Sequence, residues 1–141
     1  ITTLDKYIEG RLGLVIDSTG RDYDMIARQH NQLKQIGYDT YMVFVNTSLD
    51  VALERNEKRD RTVEKKTAIK NWNTVQSNMG KFQKLFQPAN FYIVDNSSSE
   101  KELVTTTLNR CASIVRRTMN SPHNFIAKQW INRQLMIKKR T

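Results

Sequence analysis

Three short apolar runs constrain this chain more than any other feature: Leu12 to Asp17, Thr40 to Asn46 and Phe91 to Asp95. Each is nearly continuous in apolar or small residues, and each ends on a carboxylate or a carboxamide. Runs without polar alternation are the mark of strands covered by helices on both faces. The stretches between them carry apolar residues at helical spacing. Strand followed by helix, repeated along a chain, implies crossover connections and a parallel sheet. The expected fold is α/β and three-layered, with a short, mainly parallel sheet of about three strands flanked by helices.

The helical stretches have legible ends. Leu4, Tyr7 and Ile8 predict a short amphipathic helix before Gly10 and Gly13. Asp22 is placed to cap a helix over 22–36 with Met25, Ile26, Leu33 and Ile36 on its apolar stripe, and Gly37 to end it. Thr47 or Ser48 caps a short helix from Leu49 to about Asn56. From about Thr62 to Phe86, Ile69, Trp72, Val75, Met79, Phe82 and Phe86 recur at helical spacing, and Gln87-Pro88 breaks the pattern. A helix starting at Ser97 to Ser99 is expected to hold Leu103, Leu108, Cys111, Ile114 and Val115 inside. After Asn120-Ser121-Pro122 a last helix runs from Asn124 to Lys138. The division expected is an α/β body over 1–120 and a basic C-terminal helix over 121–141, packed on it or extending from it.

Charge is distributed unevenly. The formal net charge is +9, and the 110–141 stretch holds eight basic residues and no Asp or Glu. The 54–70 stretch adds seven basic and four acidic side chains, which leaves the remainder slightly acidic. Two basic regions point to an anionic partner, nucleotide or nucleic acid, against the plainer reading of a solvated surface. No apolar run reaches the ~18 residues that mark a membrane span. One cysteine, Cys111, fits a buried thiol in a reducing, cytoplasmic setting. The N-terminus is neither a signal nor a transit peptide and lacks an initiator Met, so a fragment or processed product is expected.

Two constellations carry chemistry. Asp17 ends an apolar run as the Mg²⁺-holding Asp of a Walker B strand does. The same carboxylate is equally suited to cap the Ser18-Thr19-Gly20 turn. Arg55, Arg59 and Arg61 fall within seven residues, and a planar guanidinium fork grips phosphate oxygens two at a time. The competing reading is a solvated helix with i,i+4 pairs Glu54–Lys58 and Glu57–Arg61. His30 in mid-helix reads as structural and His123 as a helix cap. Trp72, Phe82, Phe86 and Phe91 read as core, while Trp130 among Lys128, Arg133, Lys138 and Lys139 is the better candidate for base stacking. No zinc spacing and no Ser-His-Asp arrangement occurs.

The order of these pieces from Gly13 to Ser98 resembles the C-terminal part of a P-loop phosphotransferase, in particular phage polynucleotide kinases and zeta-toxin-like kinases. Val15-Ile16-Asp17-Ser18-Thr19 resembles that group's third strand. Leu33 to Asp39, with Gly37-Tyr38, resembles the approach to its fourth strand. Arg55-Asn56-Glu57-Lys58-Arg59 resembles the arginine-bearing lid of phage polynucleotide kinase. The resemblance implies a partial P-loop NTPase fold, ATP and Mg²⁺ as cofactors, and γ-phosphate transfer to the hydroxyl of a polynucleotide or small molecule. It implies that Arg55, Arg59 and Arg61 contact ATP phosphates, that Asp17 stands beside the Mg²⁺ and that Asn96 lies on the adenine side. Arg21, next to the Asp17 loop, is positioned to touch an acceptor phosphate.

One departure is large. No Gly-x-x-x-x-Gly-Lys-[Ser/Thr] occurs in the chain, so the backbone cradle and lysine for the β- and γ-phosphates are absent from it. The strand that bears the usual general base is missing as well. The chain alone is therefore expected to be inactive. In the group it resembles, the strand carrying the phosphate loop lies between those matched by Leu12–Asp17 and Thr40–Asn46. An open inner edge invites association, and a homo-oligomer is expected. The alternative is a non-catalytic nucleic-acid-binding or assembly module that uses the basic C-terminal region.

Overall fold

The computed structural model describes residues 2–98 and 100–140. In chain order the elements are α1 (Thr3–Glu9), α2 (Tyr23–Gln35), β1 (Met42–Asn46), α3 (Leu49–Glu57), α4 (Lys65–Phe86), a 3-10 turn at Pro88–Asn90, β2 (Phe91–Asp95), α5 (Lys101–Met119) and α6 (Phe125–Arg140). β1 and β2 pair in parallel, Met42 opposite Phe91 and Asn46 opposite Asp95. With α3 and α4 as the crossover, this is the βαβ unit that the apolar runs required.

Local chemistry sets the helix ends. Asp22 accepts from the Met25 amide at 3.0 Å and starts α2. Ser48, rather than Thr47, caps α3 through the Val51 amide. α2 ends in a full Schellman motif: the Gly37 amide donates to the Lys34 carbonyl at 3.1 Å and the Tyr38 amide to the Leu33 carbonyl at 3.0 Å. Gly37 has φ +104°, which glycine adopts without a Cβ penalty. α4 stops where Gln87 takes φ 70° ahead of Pro88.

Three layers follow. Phe44 and Phe91 on one sheet face meet Ile26 of α2 and Phe82 and Phe86 of α4. Phe82 is fully buried, with its ring 5.6 Å from Tyr23 and 6.5 Å from Phe44. On the opposite face Val94 is buried where α5 lies against β2, and the Thr107 hydroxyl donates to the Asp95 carbonyl at 3.1 Å. His30 belongs to the first core: its Nδ1 is 2.6 Å from Thr40 Oγ1 and its ring meets Phe86 edge-on.

The sheet has two strands among the described residues, not three. Leu12–Asp17 runs without strand structure and forms no ladder. The reason is the lack of a neighbour. A strand is held by a hydrogen-bonded partner about 4.8 Å away, and the free edge of β1 does not pair with this segment. Its apolar side chains stay in water: Val15 is 89 % exposed. On β1, Val45 is 52 % exposed although its register partner Val94 is buried, because α5 covers β2 and leaves β1 open. The same shortage of cover leaves Leu103, Leu108 and Val115 of α5 exposed, where the periodicity predicted an interior.

Candidate functional site

The C-terminal ends of β1 and β2 lie on one edge, because the strands are parallel, and the loops that leave them are stitched together. The Asn96 amide donates to the Asn46 carbonyl at 2.8 Å, and the Ser48 amide donates to Ser97 Oγ at 3.0 Å. α4 is fastened to the same rim. Gln76 Nε2 donates to Asn46 Oδ1 and Trp72 Nε1 to the Thr47 carbonyl, both at 2.8 Å. Trp72 is thus an anchor with a polar handle, consistent with its core spacing.

Arg55 sits in the last turn of α3, and its Nη2 donates to the Ser98 carbonyl at 3.0 Å. The structure therefore brings Arg55 and the Asn96 loop together at the sheet edge. A guanidinium has five N–H donors, so one bond to a carbonyl leaves capacity for an anion. Arg59 and Arg61 stand in the turn after α3. Both are exposed, and their side chains make no hydrogen bond or ion pair among the described residues. The turn that carries them is closed by a clasp that no sequence pattern announces. Asn56 Nδ2 donates to the Val63 carbonyl at 2.7 Å, and the Val63 amide returns a bond to Asn56 Oδ1 at 3.1 Å. A cavity of about 240 Å³ lined by Leu53, Asn56 and Val63 lies beneath it. Of the two expected intrahelical pairs, Lys58–Glu54 forms at 2.8 Å and holds the Glu54 carboxyl below its ordinary range. Glu57 and Arg61 are not paired among the described residues.

Asp17 is not joined to this group. It is exposed, and no hydrogen bond or ion pair links it to the arginines among the described residues. It does not cap its own turn either: Ser18 Oγ accepts from the Gly20 amide and Thr19 Oγ1 from the Arg21 amide. No group of three or more His, Cys, Asp or Glu among the described residues is arranged to hold a metal ion.

A second cavity, about 450 Å³, lies beside the Asp17 loop and is lined by Thr19, Arg21, Asp22, Tyr23, Asn78 and Lys81 among others. Its floor is Asn78, 4 % exposed, whose Nδ2 donates to the Gly20 and Arg21 carbonyls at 3.0 Å each. The Lys81 ammonium sits 5.5 Å over the Tyr23 ring. A signal for Asn78 was available in the sequence, since it falls on the buried stripe between Val75 and Phe82.

At the other end of the sheet, α6 is seated on the turn that precedes β1. Asn124 Nδ2 donates to the Gly37 carbonyl at 2.8 Å and to Asp39 Oδ1 at 3.1 Å, while its Oδ1 accepts from the Ala127 amide. Asn124, not His123, is the cap of α6. Trp130, the better of the stacking candidates in the sequence, is half-buried and lies under the Arg11 guanidinium at 5.3 Å. Cys111 is a half-buried free thiol. No helix among the described residues is long and apolar enough to cross a membrane.

These features can be set beside known proteins. The zeta toxin family profile matches residues 2–108, which spans the arginine-bearing turn after α3, the Asp17 loop and both strands. No curated protein and no solved structure matches the chain. A match over more than half of the sequence, on a helix-flanked parallel βαβ unit with an arginine-bearing turn at its C-terminal edge, is decisive: the chain belongs to the zeta toxin family, a P-loop kinase-like family.

Proposed function

We propose that this chain forms the lid and C-terminal wall of a kinase that transfers the γ-phosphate of ATP to a hydroxyl of a polynucleotide or small molecule. The observation that supports it best is the rim itself. Arg55 is bonded to the Asn96 loop, and Arg59 and Arg61, exposed on the turn that follows α3, make no side-chain hydrogen bond or ion pair among the described residues. In the reaction the acceptor oxygen bonds to the γ-phosphorus as the bond to the bridging oxygen breaks, and ADP leaves. Charge accumulates on the phosphoryl oxygens, and Arg59 and Arg61 on their clasped turn supply counter-charge when the turn closes on it. Arg55 holds the lid to the loop and presents its remaining donors to the same phosphates. Asn96 lines the adenine side.

Mg²⁺, when bound, would neutralise phosphate charge; Asp17 is proposed to hold it through water, on the likeness of its apolar run to a Walker B strand, although it is exposed and not joined to the arginines among the described residues. The cavity at Arg21 and Lys81 is the place for an anionic acceptor. The lysine of a phosphate-binding loop and a base for the acceptor hydroxyl are not among these residues, so the chain alone is proposed to be inactive. The division proposed is an α/β body over 1–120 with a basic helical segment over 121–141. The open edge of β1 is proposed to be covered in a homo-oligomer, and a monomer by light scattering at high micromolar protein would count against that.

The test is thermal denaturation with and without Mg·ATP. Nucleotide at ~100 times its dissociation constant stabilises the fold by about 2.7 kcal/mol. The shift is expected in the wild type and is lost in Arg59→Ala/Arg61→Ala. Since both side chains are exposed, the variant keeps its fold. An unchanged shift in the variant, or none in the wild type, would refute the reading.

A further inference from the structure

The charge on this protein is segregated to a degree that the phosphate-transfer rim does not explain. The eight cations and no carboxylate of 110–141 account for almost all of the net +9, while the two signs nearly balance elsewhere. α6 carries five of the eight. Its first half is anchored: Asn124 to Gly37 and Asp39, Ala127 against Gly37, and Trp130 under Arg11. From Asn132 to Arg140 every residue is exposed, so the last turns of α6 form a rod outside the packed body.

The arrangement of that rod selects a partner. Leu135, Met136 and Ile137 are each more than half exposed, which at first suggests a lipid surface or a protein groove. Both of those require apolar residues on one face, at i, i+3, i+4 spacing. Three consecutive residues, each ~100° further round the helix, fan over about 200°. Arg133, Lys138, Lys139 and Arg140 alternate with them around the axis, so no apolar face is separated from charge. A rod with cations on all sides suits a polyanion that can be met from several directions at once. Nucleic-acid phosphates meet that description.

We propose that the projecting half of α6 is a sequence-independent docking surface for nucleic-acid backbone, with Arg133, Lys139 and Arg140 as its principal phosphate contacts. The start of α6 is seated on Gly37–Asp39, ahead of β1, and none of Arg133, Lys139 and Arg140 belongs to the rim of Arg55 and Asn96 at the C-terminal edge. The inference therefore does not rest on the kinase reading.

Fluorescence anisotropy with a labelled duplex DNA, over a series of salt concentrations, tests it. The wild type is expected to bind with a steep salt dependence. The variant Arg133→Glu/Lys139→Glu/Arg140→Glu is expected to lose at least tenfold in affinity. Removing three phosphate contacts also lowers the log–log salt slope by about 3. The Mg·ATP response of the variant is expected to match the wild type, which separates this surface from the rim. A second variant, Arg133→Gln/Lys139→Gln/Arg140→Gln, keeps helix-forming residues at all three sites and is expected to show a smaller loss in the same direction. The proposal is overturned if the wild type does not bind DNA, if both variants bind with unchanged slope, or if phosphatidylserine vesicles capture the protein in preference to DNA.

Discussion

Gly37 is the point at which the C-terminal helix meets the α/β body, and replacing it with alanine isolates that joint. Two costs add. The residue sits at φ +104°, where a side chain meets the backbone and an L-residue is strained by roughly 1–2 kcal/mol. A Cβ there would also lie 3.0 Å from the Ala127 amide nitrogen and 3.2 Å from Ile126 Cγ2. The first of these is backbone, so α6 must withdraw by some tenths of an ångström. Withdrawal stretches the 2.8 Å bond from Asn124 to the Gly37 carbonyl, a contact worth about 1 kcal/mol net. Gly37→Ala is therefore expected to destabilise by about 2–3 kcal/mol. Urea denaturation in a Trp72→Phe background checks it, because Trp130 then reports on α6 alone. Gly80→Ala is the control: it lies inside α4 with nothing within 4 Å of the added methyl, and is expected to gain about 0.5–1 kcal/mol. A Gly37→Ala midpoint equal to wild type, or one no lower than that of a substitution at an exposed loop residue, would refute the account of this joint.

Two other perturbations follow from buried polar groups. Burial, and secondarily the Lys34 ammonium, hold the His30 pKa below its ordinary 6.5. The unfolded chain takes up the proton first as pH falls, so stability is full above about 6.5 and declines below it. A urea midpoint that stays flat between about pH 7 and 5 in the wild type, or a His30→Leu variant that declines as steeply, contradicts this. Asn78→Leu keeps the side-chain volume but strips the Gly20 and Arg21 carbonyls of their donor, with an expected loss of about 2–4 kcal/mol by chemical denaturation. A loss below about 1 kcal/mol would mean that water replaces Asn78.

Much of this was legible in the sequence, and where it was not the reason is physical. Helix limits rest on local chemistry: Asp22 and Gly37 mark the ends of α2 by residue type, while the start of α3 was legible only to within Thr47 or Ser48. β1 and β2 are legible as apolar runs because each finds its partner in the other. The Asn56 clasp and the Arg55–Ser98 bond were not legible, since neither has a periodicity. They are isolated contacts, spanning seven residues in one case and joining the last turn of α3 to the loop after β2 in the other. The cation over Trp130 was not legible either, because it comes from Arg11 at the far end of the chain and not from the basic neighbours of Trp130.

The run from Leu12 to Asp17 carries the most instructive discrepancy. Its composition reads as a buried strand as clearly as Thr40–Asn46 does, yet one run pairs and the other does not. Apolar composition states only that a segment gains by burial; it does not supply the neighbour. β1 has β2, and it has α2 and α4 on one face. Among the described residues Leu12–Asp17 is tied to the rest of the protein only at its start, by the Tyr38 hydroxyl donating to the Leu12 carbonyl at 2.8 Å and the Leu12 amide donating to the Tyr7 carbonyl at 2.9 Å. Val15 is exposed because its segment has no strand beside it, and Val45 because α5 covers β2 and leaves that face of β1 open. Covering the edge of β1 should then protect the 13–17 amides and the β1 amides together. Hydrogen exchange on a concentration series, in which the two segments gain protection in parallel as the protein associates, is the expected result. Protection of β1 with no change at 13–17 would show that the two segments do not share a missing neighbour.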